Sequence, residues 1–191
     1  MAARAILERD GVDALTMRAV ADTVGVRAPS LYKHVANLDA LVRLVVDDTV
    51  VALGDRLAGV PATGPRDRIR WLAHELRAFA HERPAAFGLL FAAVPEAWRP
   101  DAAMNAAAVR PLLDATTELV GPGHALDAGR TLTAACVGFL TMELAGAFRL
   151  GGSVEGAWAY LVETLVTAIG DPAAPIGDAP RATPRRGSSR D

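Results

Sequence analysis

Residues 15–35 read LTMRAVADTVGVRAPSLYKHV, and the fold of the chain turns on this run. Thr16 stands where a hydroxyl can cap a helix through about Val24, accepting one of the N–H groups that a helix start leaves unpaired. Gly25 breaks the run at a position suited to positive φ, and a second short helix is predicted from about Ala28 to His34, with Pro29 tolerated in its first turn. Ala21 puts a small residue where the two helices touch, while Val20, Val24, Val26 and Leu31 flank the turn with apolar side chains. This is the spacing of a helix-turn-helix.

Upstream, Ala2 to Asp10 is a short helical stretch with Ile6 and Leu7 able to face inward and Gly11 as its stop. Downstream, Asn37 and Asp39 offer caps for a helix through about Leu57, which the run Pro61-Ala62-Thr63-Gly64-Pro65 breaks. Ile69, Leu72, Leu76, Phe79 and Ala80 recur at helical spacing until Pro84, and a short apolar piece covers Ala85 to Ala93. An alanine-rich helix follows from about Ala102 to Leu119, closed by Gly121-Pro122-Gly123. Two strongly apolar helices are predicted last, about Leu126 to Leu150 and Val154 to Ile169, the second capped by Ser153. The expected fold class is therefore all-α, with about nine helices.

Composition agrees with this. The 191 residues are 51% hydrophobic, enough for a sizeable core, and alanine, leucine and arginine lose little on entering a helix. A net charge of -2 places any nucleic-acid contact on a local patch rather than on the whole molecular field. Between Thr16 and Val46 four cations (Arg18, Arg27, Lys33, Arg43) face two acids (Asp22, Asp39), a local balance of +2. Lys33 is the only lysine in the chain. One cysteine, Cys136, and no opening signal segment lead to the expectation of a soluble protein in a reducing cytoplasm with no membrane partner. The proline-rich stretch from Asp171 to Asp191 is expected to be a disordered tail.

Across residues 1 to about 46 the sequence resembles the DNA-binding domain of the TetR/AcrR family, on the quoted run together with Asn37 and Leu41. The resemblance implies that Thr16 and Arg18 meet phosphate and base edges, and that Arg27, Ala28, Pro29, Ser30, Tyr32, Lys33 and His34 belong to a recognition helix in the major groove. Leu38 stands where the family usually has a basic residue, and the first helix begins one or two turns late, as though the native start lay upstream of Met1. Residues 47–170 are then expected to form a helical ligand-binding and dimerisation domain. Phe79-Ala80-His81-Glu82-Arg83-Pro84 and Gly138 to Gly146 resemble the family branch named for a Trp-His-Gly motif, although Val137 replaces the histidine.

The implied function is a ligand-responsive transcriptional repressor that binds an inverted-repeat operator in double-stranded DNA as a homodimer. A small apolar or aromatic effector is expected in a pocket among the helix starting near Arg66, the alanine-rich helix and the helix holding Cys136. Trp71, Phe79, Phe91, Met104 and Phe139 are candidate walls, and His74, Thr141 and Glu143 candidate polar anchors. The broad apolar stripe of Trp158, Leu161, Val162, Leu165 and Ile169 is the candidate dimer interface. A different reading, a helical small-molecule-binding protein whose DNA function has lapsed, is kept alongside. No nucleophile-base pair, metal cluster or phosphate loop stands out; His74 and His81 lie seven apart without forming a His-Glu-x-x-His motif, so no cofactor or metal is expected.

Overall fold

The computed structural model describes residues 2–170, so the stretch expected to be a disordered tail lies outside the described residues. Among the described residues there are nine α-helices, two short 3-10 turns and no strand. The helices are α1 (Ala2–Asp10), α2 (Met17–Val24), α3 (Ala28–Leu31), α4 (Leu38–Leu57), α5 (Pro65–Glu82), α6 (Pro84–Phe91), α7 (Ala102–Val120), α8 (Ala125–Leu144) and α9 (Val154–Ile169).

Most boundaries follow from local chemistry. Thr16, Asn37 and Ser153 each accept a hydrogen bond from the backbone N–H three residues on, at 3.1, 2.8 and 3.0 Å, and Asp101 caps α7 in the same way through the N–H of Ala103 at 2.8 Å. Pro65 and Pro84 each open a helix, where a missing N–H costs nothing. Asp39, the other candidate cap, sits inside the first turn of α4 and accepts a hydrogen bond from Trp98 Nε1 at 2.7 Å.

Among the long helices one expected boundary is overturned. The helix predicted to run to Leu150 stops at Leu144, because Gly146 takes up φ +63°. The N–H of Ala147 then bonds the carbonyl of Met142 and that of Gly146 bonds Glu143, both at 2.9 Å, which closes the helix end. Hydrophobicity beyond Gly146 reads as continuation, yet Leu150 is fully exposed.

The buried residues fall into two cores. The first gathers Ile6, Leu7, Leu15, Met17 and Val20 with Leu41, Val42, Val45 and Val46 of α4, and takes in Ala86 and Leu89 of α6. The second is built on Phe79, Phe87, Leu132, Leu140, Trp158, Val162 and Val166, with Leu53 from the far end of α4. Two elements therefore belong to both cores: α4 passes from one to the other, and α6 turns Ala86 and Leu89 to the first and Phe87 to the second. A shift in either element reaches both cores, since close-packed side chains transmit displacement rather than absorb it.

Candidate nucleic-acid interface

The frame of the helix-turn-helix is set by its turn. Gly25 has φ +71°, and the N–H of Val26 bonds the carbonyl of Ala21 at 3.0 Å while Gly25 bonds Asp22 at 3.3 Å. A side chain with a Cβ is strained at that φ, so glycine fixes where α2 ends and the direction in which α3 leaves. Leu31 packs against the first core and Val35 is buried in it, which leaves the rest of the second helix facing outward. The helix expected to reach His34 is α-helical only to Leu31 and finishes as a hydrogen-bonded turn, with His34 and Val35 both bonding the carbonyl of Leu31.

Thr16, Arg18, Arg27, Pro29, Ser30, Tyr32, Lys33 and His34 are all exposed, and Ala28 is half-buried. Tyr32 leaves 53% of its surface in water. Arg18 approaches Asp22 only to 3.8 Å with both side chains largely in solvent, a contact too weak to withhold its guanidinium from a phosphate. Arg27 and Lys33 make no ion pair among the described residues. The face thus carries cations, the Ser30 hydroxyl and a phenol that the fold does not use, while the Thr16 hydroxyl caps α2.

The larger unit is arranged otherwise. An apolar cavity lies among α4, α5, α7 and α8, walled by Leu53, Leu72, Leu76, Leu112, Leu132 and Cys136. It adjoins a groove of about 630 Å³ between α7 and α8, and Phe91, Val109, Leu112 and Thr133 line both. The cavity lies among the helices between which a pocket is expected, with mostly other residues at its walls. Phe91 lines both spaces, whereas Phe79 is sealed in the second core and Phe139 packs on Trp158 and Phe148. Trp71 leans toward the turn at Gly59, and Met104 sits half-buried in the first turn of α7.

The candidate anchors are also placed elsewhere. Thr141 is exposed and donates to the carbonyl of Val137 at 2.8 Å. Glu143 receives two hydrogen bonds from Arg77, at 3.1 and 2.7 Å, and His81 Nε2 lies 3.3 Å away. Burial pushes the Glu143 carboxyl up, but the Arg77 guanidinium and His81 outweigh that and hold it below the ordinary value. Arg77 also pairs with Glu155 and lies 5.5 Å over the Trp158 ring, with His74 edge-on to the same ring at 6.4 Å. This cluster ties α5, α8 and α9 together.

Within a single chain much of the α9 stripe is already packed. Trp158 and Val162 are 0% and 3% exposed within a single chain, and Leu161, Leu165 and Ile169 pack half-buried on the same core. The face is broad because α9 lies across both α5 and α8. The side of α9 left in water carries the small Ala157, Thr164 and Ala168 beside the large Tyr160, 76% exposed.

Comparison with known proteins decides the family. The model for the bacterial regulatory proteins of the tetR family matches residues 1–45, and that for the tetracyclin repressor-like C-terminal domain matches residues 69–165. The chain belongs to the TetR family. An HTH-type transcriptional regulator of Mycobacterium tuberculosis, Rv0681, is 34% identical over 84 residues, a match spanning 42% of this chain and only 38% of that protein. The fold is shared with a Rhodococcus sp. RHA1 protein of unknown function (TM-score 0.73, 22% identity, 88% of this chain and 92% of that one). It is also shared with a TetR variant from Acinetobacter baumannii AYE solved in complex with minocycline (0.67, 21%, 87% and 90%) and with Mycobacterium smegmatis BioQ (0.65, 23%, 88% and 94%).

In this TetR-family chain two contacts join its units, and of the residues that make them only Asp39 is among those singled out from sequence, as a helix cap and not as a partner of Trp98. Glu8 of α1 accepts hydrogen bonds from the N–H groups of both Ala85 and Ala86 at 3.0 Å, capping α6 from the other core. Trp98 reaches Asp39 at the start of α4. Neither pairing follows a sequence period. The one available signal is Pro84 itself, which opens a helix with no hydroxyl or carboxylate before it and so calls for a cap from outside.

Proposed function

We propose that this TetR-family chain is a ligand-responsive transcriptional regulator, most simply a repressor, acting in the cytoplasm on an inverted-repeat operator as a homodimer. The observation that carries the proposal is the exposed face of Arg27, Ser30, Tyr32 and Lys33, held outward by the Gly25 turn and by the burial of Leu31 and Val35. Phosphates gripped by Lys33 and Tyr32 would set register, and Arg18 and Arg27 would reach base edges or the neighbouring backbone. The small exposed residues of α9, among them Ala157, Thr164 and Ala168, permit close helix approach between two copies. Leu161, Leu165 and Ile169 would sit at the margin of that contact.

Regulation follows from the shared elements. A ligand seated against Phe91 touches the last residue of α6, whose first turn is capped by Glu8 of the DNA-binding unit. Such a ligand weakens DNA binding to the extent that it prefers the DNA-incompetent arrangement, and by linkage DNA weakens the ligand by the same factor. Selection of bound sites from random duplex DNA tests the reading. The enriched sequence should be an inverted repeat with half-site centres about one helical turn apart or a multiple of it. Enrichment of nothing, or of single unrepeated sites, would overturn it.

A further inference from the structure

The cavity among α4, α5, α7 and α8, about 110 Å³ and open where the half-exposed Phe91 stands, has walls almost entirely of carbon, and no charged side chain lines it. Cys136 adds a thiol that burial pushes up to about 11, so it stays neutral at physiological pH. Arg130 lines the adjoining groove, but its side chain is 71% exposed and 3.6 Å from Asp127, so water screens both charges. A charged ligand entering this space would be desolvated without a partner, which is strongly unfavourable.

Thr133 differs from its neighbours on the same helix. The hydroxyls of Thr131 and Thr141 donate to the carbonyls of Asp127 and Val137, at 2.9 and 2.8 Å. Thr133, half-buried and lining both the cavity and the groove, has no hydrogen-bond partner among the described residues. A threonine inside a helix ordinarily closes its hydroxyl onto the preceding turn, so a free one at an apolar wall is a donor and acceptor offered to whatever fills the space.

We infer that this cavity and the groove that continues it together take an uncharged, largely apolar or aromatic small molecule bearing one hydrogen-bonding group, and that Thr133, which lines both, is the residue that orients it. The inference rests on the ligand-responsive reading above and adds to it the charge of the ligand and its polar anchor. Discrimination is expected to be asymmetric: added carbon is tolerated along the groove toward Leu113 and Leu126, while an added charge is rejected.

Two fluorophores with the same skeleton test this on the full chain without DNA: N-phenyl-1-naphthylamine, uncharged with one N–H, and its sulfonated analogue 1-anilinonaphthalene-8-sulfonate. The neutral dye should bind one saturable site per chain at least about tenfold more tightly than the sulfonate. Thr133→Val should weaken the neutral dye roughly 2- to 10-fold, as expected for one neutral hydrogen bond, and Thr133→Ser should retain it. Should the valine variant lose its helical circular dichroism, Thr133→Ala beside Thr133→Ser makes the same comparison. Equal or tighter sulfonate binding, absence of saturable neutral-dye binding, or unchanged affinity on losing the hydroxyl would each overturn the inference. Release of selected operator DNA by the same dye is scored separately. Discriminating binding without release leaves the cavity assignment standing and counts against the ligand-responsive reading alone, since a ligand that binds both arrangements equally releases nothing.

Discussion

The two units of the chain use their polar side chains in opposite ways. On the helix-turn-helix, Arg27, Ser30, Tyr32 and Lys33 stand in water and hold nothing in place. In the larger unit the charged groups brought in from separate helices are consumed by structure: Arg77 joins Glu143 and Glu155, Arg56 joins Glu75 and Glu82, and Arg70 joins Glu163. One unit presents chemistry to an outside partner, and the other keeps its polar groups for itself and leaves an apolar hollow. Truncating a polar side chain should therefore lower affinity in the first unit and stability in the second.

The largest effect is expected at the base of the second unit's charge cluster. Trp158 is wholly buried between Phe139, His74 and Arg77, so Trp158→Ala should cost about 3–5 kcal/mol through lost burial and the cavity it leaves. Urea unfolding checks this, and a loss below about 1 kcal/mol would mean that α9 is not seated as described. The same protein, where still folded, should bind DNA through an unaltered recognition face.

Glu143→Gln comes next, at about 1–3 kcal/mol near neutral pH, because it leaves Arg77 with one carboxylate partner fewer. The Glu143 carboxyl lies below its ordinary value of 4.5 in the folded chain. The stability it contributes is thus fully present above that value and is lost as pH falls through the lower folded one. The variant should show a flatter loss of stability below about pH 4.5 than the parent, measured by thermal unfolding across acid pH. Parallel curves would remove Glu143 from the network.

Thr16→Ala is the case that sits on both sides of the comparison. Its hydroxyl caps α2, so about 1 kcal/mol of stability should go, and it also faces the proposed DNA surface, so affinity should fall as well. A stability loss with unchanged affinity would confine Thr16 to its capping role.

The contrast also explains what could be seen in the sequence. The helix-turn-helix is a local device: the Thr16 cap, the Gly25 turn and the alternation of Leu31 with exposed neighbours lie within 16 consecutive residues, so spacing alone carries them. The all-helical class and most helix boundaries were legible for the same reason. The cavity is not local. Its walls come from α4, α5, α6, α7 and α8, and whether Phe139 or Thr133 turns inward depends on how α8 is rotated against its neighbours. Aromatic size led to Phe79 and Phe139, which are core, while the smaller Thr133 and Leu112 line the space. The α9 stripe was visible as apolar, but only packing reveals that α5 and α8 already cover it.

The most direct test of this division of labour is a salt titration of operator binding by the parent and by Lys33→Ala, beside their urea unfolding. Lys33 is exposed and without an ion pair among the described residues, so its removal should leave stability within about 0.5 kcal/mol. Binding should weaken for all DNA sequences alike, and the slope of log affinity against log salt should fall in magnitude by about 1, the signature of one lost phosphate contact. Unchanged affinity at every salt concentration would contradict the assignment of this face to DNA.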